Sequence, residues 1–178
     1  MRIETARLVI RTYEPRDAES WIAMVNNPKV SRYTPPGPPA TLATFQRSME
    51  RRHAQEREHG YAVWAVDLKE TGIFIGQCGL YPAEWKGPEI ELAYHYTPAA
   101  WNQGYGTEAA SAVLAYGFGT AGLDSIIALV MPANVGSWRV AEKAGMRFVG
   151  TATYYDLPDL KKYLAERAWW SAPPRVRA

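Results

Sequence analysis

The stretch Gln103-Gly104-Tyr105-Gly106-Thr107 stands where an extended run, Glu89 to Tyr96, must turn at once into a helix-length apolar segment, and no other part of the sequence constrains the fold as much. Two glycines at that junction permit a tight turn and leave main-chain N–H groups unobstructed. The helix start and the amides before it can then converge on an anion such as a pyrophosphate. A hydrogen bond to a charged group contributes about 1.5 to 3 kcal/mol, so three or four of them anchor a ligand. A strand feeding a helix in this way belongs to a fold in which helices pack on a sheet.

The same residues, Gly104 to Ala109, also fit the Gly-x-Gly-x-x-Ala pattern of dinucleotide-binding folds, with Asp124 near the expected ribose-binding acid. Context argues against that reading. Asp124 precedes the strand Ile126 to Met131 instead of ending one, and a series of strands comes before the glycines where a first βαβ unit is required.

The rest of the chain reads as follows. Arg7 to Thr12 is a first strand, followed by a helix with Ala18, Trp21, Ile22 and Val25 on one face and ended by Asn27-Pro28. The proline-rich Tyr33 to Pro39 is a loop within the domain. Thr41 caps a second helix with an apolar stripe of Leu42, Phe45 and Met49, stopped by Gly60. Its other face interleaves Arg47, Arg51, Arg52 and Arg57 with Glu50, Glu56 and Glu58, the pattern of a solvated, salt-bridged surface. Strands at Tyr61 to Leu68, Ile73 to Tyr81 and Glu89 to Tyr96, separated by Glu70-Thr71-Gly72 and Lys86-Gly87-Pro88, form an antiparallel meander. Then come a helix to about Gly117, a strand at Ile126 to Met131, a helix from Asn134 to Ala144 stopped by Gly145, and strands at Arg147 to Tyr155 and Tyr163 to Trp170. This order predicts an α/β mixed sheet with helices on both faces, in a single domain over 1–178.

Bulk properties narrow the function. Lys plus Arg at 20 against Asp plus Glu at 18 leaves a net charge of +2, so charge gives no reason to expect nucleic acid. Ala109 to Trp138 holds one charge, Asp124, yet its glycines and Pro132-Ala133-Asn134 cut it into a buried helix and a buried strand, and no membrane span is expected. The single Cys78 lies in an apolar run with no histidine nearby in sequence, the setting of an inert core thiol. Met1 to Arg11 carries Arg2, Glu4, Arg7 and Arg11 where a leader needs an apolar run, and a cytoplasmic protein is expected. No metal site is expected.

Three segments, taken in order and spacing, carry a family resemblance. They are Glu4-Thr5-Ala6-Arg7-Leu8-Val9-Ile10-Arg11; Glu91 through Tyr94-His95-Tyr96-Thr97-Pro98 to Trp101-Asn102-Gln103-Gly104-Tyr105-Gly106-Thr107-Glu108-Ala109; and Asn134-Val135-Gly136-Ser137 leading to Glu142-Lys143-Ala144-Gly145. They resemble the GNAT acyl-CoA N-acyltransferase superfamily, in the branch of ribosomal-protein-alanine acetyltransferases of the RimJ/RimL type. The resemblance implies a central, mostly antiparallel sheet flanked by helices, with a splayed strand pair forming a cleft for acetyl-CoA. It places Tyr94, His95 and Tyr96 along the pantetheine arm, Trp101 to Thr107 at the pyrophosphate, and Asn134 on the opposite wall. Many relatives carry Arg or Gln at the position of Trp101.

The implied reaction is attack of an amine on a thioester within a ternary complex. Glu91 matches a frequent catalytic glutamate, with a solvated strand carboxylate as the alternative, and the N–H of His95 or Tyr96 can polarise the carbonyl. Period-two alternation puts Glu91, Ala93 and His95 on one face and Leu92, Tyr94 and Tyr96 on the other. The helix tyrosine that many relatives use to protonate sulfur is Ala141 here, which leaves Ser137 as the available hydroxyl, or as a residue making only a local capping bond. His95 is a weaker candidate base, and His53 and His59 are expected at the surface. With seven tryptophans and eleven tyrosines available, Trp21, Trp85, Tyr154 and Tyr155 are expected to line the acceptor cleft.

The acceptor the resemblance implies is a primary amine: a peptide N-terminus or a small molecule. An α-amine costs about 1 kcal/mol to deprotonate at pH 7 and a lysine-like amine about 4.6, so a modest catalytic apparatus favours the former. A monomer or homodimer is expected. A non-catalytic acyl-CoA-binding module of the same fold is the alternative function.

Overall fold

A computed structural model describes residues 1–34 and 37–172. Pro35 and Pro36, within the expected Tyr33 to Pro39 loop, lie outside the described residues.

Eight strands form one sheet: β1 (Arg2–Glu4), β2 (Leu8–Arg11), β3 (Val63–Leu68), β4 (Phe74–Pro82), β5 (Ile90–Tyr96), β6 (Ser125–Val130), β7 (Arg147–Tyr154) and β8 (Leu157–Glu166). Their spatial order is β1-β2-β3-β4-β5-β6-β8-β7. The neighbours are antiparallel except β5 and β6, which run parallel. A parallel pair needs a long crossover, and the helix α4 (Tyr105–Gly119) supplies it. Register is continuous from Gly76 opposite Tyr96 to Pro82 opposite Ile90 on the β4 side of β5. On the β6 side only Glu91 and Ile127 pair, and beyond them the strands part. This is the splayed pair expected from the resemblance.

The sheet is covered on both faces because its strands alternate. Trp64 and Val66 of β3 enter one core with Val113, Leu114 and Phe118 of α4 and Ala141 of α5 (Val135–Lys143). Ala65, between them, enters the other with Trp21 and Met24 of α1 (Ala18–Val25), Val30 of α2 (Pro28–Ser31) and Phe45 of α3 (Leu42–His59). The low-charge segment Ala109 to Trp138 is divided among α4, β6 and the start of α5, and among the described residues no helix is long and apolar enough to cross a membrane.

Several elements differ from expectation. The first strand is preceded by β1, which has two charged side chains among three residues and shows no apolar alternation. The last strand begins at Leu157 and ends at Glu166, not at Tyr163 and Trp170. Trp170 lies past a turn, where its indole N–H donates to Ala144 O at 2.9 Å. In α3 Leu42 is exposed, while the buried stripe is Phe45, Ser48, Arg52 and Gln55. Arg52 is therefore not part of a solvated face. It packs over the Tyr13 ring at 4.6 Å and donates to Gln77.

Candidate active site

The gap between β5 and β6 opens into a cleft of about 1250 Å³. β5 lines it with Glu91, Tyr94, His95 and Tyr96, the turn into α4 with Trp101, Asn102, Gly104, Gly106 and Thr107, and the start of α5 with Asn134 and Ser137. Gln103 and Tyr105, grouped with these from sequence, have side chains elsewhere. Gln103 Nε2 donates to Ala99 O at 2.6 Å, and the Tyr105 ring lies under the Arg7 guanidinium at 4.6 Å.

The glycine turn is held from outside. Gly104 is left-handed at φ 81°, a conformation that disfavours any side chain. A Cβ on Gly106 would approach Val140 to 3.2 Å and the Tyr96 ring to 3.4 Å. Arg7 Nη1 donates to Gln103 O at 3.0 Å, while its Nε donates to Glu108 in the first turn of α4 at 2.7 Å. The first N–H groups of α4 have no helical partners, so the turn presents donors to the cleft.

Main-chain direction corrects one expectation. Thr97 N donates to Ile75 O across β4 and β5, so by alternation His95 directs its main-chain groups to β4, while Tyr94 and Tyr96 direct theirs to the gap. The His95 N–H is thus not available to a ligand there. The Tyr96 carbonyl is also occupied, because the Trp101 indole N–H donates to it at 2.9 Å. Tyr94 and the Tyr96 N–H remain directed at the gap.

Asn134 caps α5, its Oδ1 accepting from Ser137 N at 3.2 Å. The Ser137 hydroxyl is not used in that local bond. It donates to the Tyr94 phenol at 3.2 Å, and the phenol in turn donates to Ser137 O at 2.7 Å. Burial raises the Tyr94 phenol well above its ordinary range, so it stays protonated.

Glu91 is not a solvated carboxylate, being only 6% exposed. It stands opposite Tyr81 of β4 and accepts from Tyr155 at 2.5 Å. Burial pushes its carboxyl up to about 7, with the phenols of Tyr155 and Tyr81 beside it pulling the other way. Such a group is poised to take a proton near neutral pH. The neighbouring Glu89 is instead paired with Lys162 at 2.7 Å and accepts from Tyr154.

His95 shares the Glu91 face, as alternation predicts, and differs in state. Gln77 Oε1 accepts from Tyr13, Trp21 and Arg52, which fixes its amide so that Nε2 faces His95 Nδ1 at 3.1 Å. The His95 proton then sits on Nε2. Burial, with the Arg52 charge adding to it, pushes His95 down to about 4 and leaves it a poor base. His53 is half-buried with Nε2 at 2.9 Å from Tyr13 O, against the expectation of surface exposure. Cys78 is fully buried, and that burial pushes its thiol up to about 12.

Of the aromatic residues expected at the acceptor end, Trp85 and Tyr155 line the cleft. Trp21 is a core residue bonded to Gln77, and Tyr154 faces Glu89 and Lys162. Tyr81 also lines the cleft, opposite Glu91 on β4, and no local sequence signal marks it. No cluster of three or more His, Cys, Asp or Glu able to hold a metal occurs among the described residues.

A family model described as an acetyltransferase (GNAT) domain matches residues 7–147. The Bacillus subtilis (strain 168) protein YkkB is 32% identical over 162 residues, covering 88% of this chain and 91% of YkkB. The N-acetyltransferase YnaD of the same strain is 32% identical over 152 residues, covering 84% and 85%. The crystal structure of an acetyltransferase from Agrobacterium tumefaciens superposes with a TM-score of 0.79 at 28% identity, covering 93% of this chain and 94% of that one. With the splayed β5 and β6, the glycine turn and a family match that spans most of its length, the chain belongs to the GNAT acetyltransferase domain family and is an acyltransferase.

Proposed function

We propose that the chain moves an acetyl group from acetyl-CoA directly to a primary amine, within a ternary complex and in the manner of the RimJ/RimL branch. The observation that carries this reading is the buried Glu91 carboxyl in the cleft wall where β5 and β6 part, its proton affinity raised by that burial. The cleft residues fit a long, thin carrier: main-chain groups of Tyr94 and Tyr96 face the gap, and the N-terminal N–H groups of α4 follow it. Trp101 to Thr107 would hold its pyrophosphate and Asn134 would border its pantetheine. Acetyl-CoA, when bound, supplies the activated thioester carbonyl.

Glu91 takes the proton that the acceptor amine must lose, and the Tyr96 N–H polarises the carbonyl. Ser137 stabilises the departing sulfur: its hydroxyl turns from Tyr94 to donate a hydrogen bond to the thiolate, which solvent then protonates. General-base assistance contributes typically about 10² to 10⁴ in rate, and holding both substrates in attack geometry can contribute as much or more. The acceptor is a peptide N-terminal α-amine or a small amine, consistent with a single carboxylate as base and no tyrosine acid on α5. The protein works in the cytoplasm as a monomer or homodimer.

Release of free thiol from acetyl-CoA, followed with a panel of N-terminal peptides and small amines, tests the proposal. Acceptor-dependent release well above buffer hydrolysis is expected. Tight acetyl-CoA binding without release for any acceptor contradicts it.

A further inference from the structure

Glu91 does not stand alone in its wall of the cleft. Tyr155 and Asp156 form the tip of the β7 to β8 hairpin, both left-handed at φ 55° and 56°, and they face a second turn in which Glu84 and Trp85 are left-handed at φ 54° and 60°. Non-glycine residues in this conformation are uncommon, and consecutive pairs in two facing turns require neighbours that hold them. The two turns hold each other: Tyr155 N donates to Glu84 Oε1 at 2.8 Å, and Glu84 N donates to the Tyr155 hydroxyl at 3.0 Å. The same hydroxyl lies 2.9 Å from the Tyr81 hydroxyl and 2.5 Å from Glu91 Oε2.

Counting donors and acceptors fixes the direction of every bond. A phenol oxygen carries one hydrogen and accepts two. The Glu84 N–H can only donate, and an ionised Glu91 can only accept. The Tyr155 hydrogen therefore goes to Glu91 Oε2, and Tyr81 donates to Tyr155. The bond from Tyr155 fills one lone pair of Oε2 and favours the ionised carboxylate. Tyr81, opposite Glu91 on β4, lies close enough to favour the ionised carboxylate as well.

We propose that Tyr155 is a positioning residue for Glu91: the strapped hairpin tip aims its hydroxyl at Oε2, fixes the carboxylate in the cleft wall and favours its ionised form. This rests on Glu91 being the base. The groups facing Glu91 from each packed element are few. β4 supplies Tyr81, with Arg51 of α3 close to it; the following turn supplies Glu84; and the hairpin supplies Tyr155. His95 shares its strand and face, Glu89 just before β5 is paired with Lys162 of β8, and Lys29 and Arg32 of the α2 region line the same cleft. The phenols are the groups whose removal changes the Glu91 titration without adding or removing a charge.

The test follows Glu91 directly, by ¹³C NMR titration of glutamate side-chain carboxyls, with Glu91→Gln identifying its resonance, alongside kcat at saturating acceptor across pH. Tyr155→Phe is expected to move the Glu91 titration midpoint upward by about 1 on the pH scale, which lowers the ionised fraction at pH 7 about fivefold. The kcat deficit should follow it and close as pH rises, while acetyl-CoA binding is unchanged. Glu84→Ala, which keeps the phenol and frees the hairpin, should shift the titration in the same direction by less, and serves if Tyr155→Phe does not fold. Tyr154→Phe should leave the titration in place. An unmoved Glu91 titration in both Tyr155→Phe and Glu84→Ala, or a kcat loss equal at every pH, overturns the positioning role even if Glu91→Gln shows that Glu91 is the base. Wild-type rates in Glu91→Gln overturn the base assignment, and the positioning role with it.

Discussion

Arg7 and Glu108 join the segment before β2 to the first turn of α4. The guanidinium Nε donates to Oε2 at 2.7 Å, while the Arg7 main-chain N–H and the Thr5 hydroxyl both reach Oε1. The Glu4 to Arg11 segment thereby acts at a distance, fixing the glycine turn that faces the cleft. Arg7→Ala should weaken acetyl-CoA binding about tenfold, the equivalent of about 1.4 kcal/mol. Titration calorimetry measures it, and kcat at saturation should change little. Unchanged affinity contradicts the role.

Ser137→Ala should lower kcat by about 10²-fold with acetyl-CoA affinity retained, because the departing thiolate loses a hydrogen-bond donor. Tyr94→Phe removes the phenol to which that hydroxyl donates and should have a smaller effect in the same direction. Wild-type rates across pH in Ser137→Ala would remove the residue from the mechanism.

Glu91 couples stability to pH. Its folded carboxyl is raised from 4.5 to about 7, so its contribution to stability is present below the unfolded value and is lost as pH rises through about 7. Each tenfold change in proton affinity corresponds to about 1.4 kcal/mol, which bounds the loss at about 3 kcal/mol. Glu91→Gln carries no charge at any pH. Its Tm relative to wild type should therefore increase by several degrees between pH 4.5 and 8 in thermal melts. A constant difference across that range would show that the carboxyl titrates normally.

Cys78 should take no part in turnover. Its thiol is buried and pushed up to about 12, so thiol-alkylating reagents should modify the native protein only on unfolding and leave activity intact. Rapid alkylation with loss of turnover would reopen a covalent route.

The sequence carried much of this site, for reasons visible in particular residues. The meander strands, the Gly60 stop at φ 76° and the capping by Thr41 depend on local chemistry, which a sequence displays directly. Glu91, Ala93 and His95 share a face because strand alternation is a period of two. Buried polar partnerships were not legible. Arg52 reads as one charge of a surface helix because nothing local announces Gln77, Tyr13 and Trp21 beneath it. Tyr155 is expected at the acceptor end, yet its bond to Glu91 spans 64 positions and depends on how the β7 to β8 hairpin folds over the sheet. Trp101 is expected at the pyrophosphate, and its bond to the Tyr96 carbonyl depends on a turn geometry that composition does not encode.

The central claim is that acetyl-CoA lies between β5 and β6 with its thioester beside Glu91. A crystal structure with acetyl-CoA bound tests it most directly. Pantetheine is expected along Tyr94 to Tyr96, pyrophosphate on the amides of the Gly104 to Thr107 turn, and the acetyl carbon within reach of an amine held at Glu91. An empty cleft at saturating acetyl-CoA, or a thioester bound away from Glu91, would contradict it.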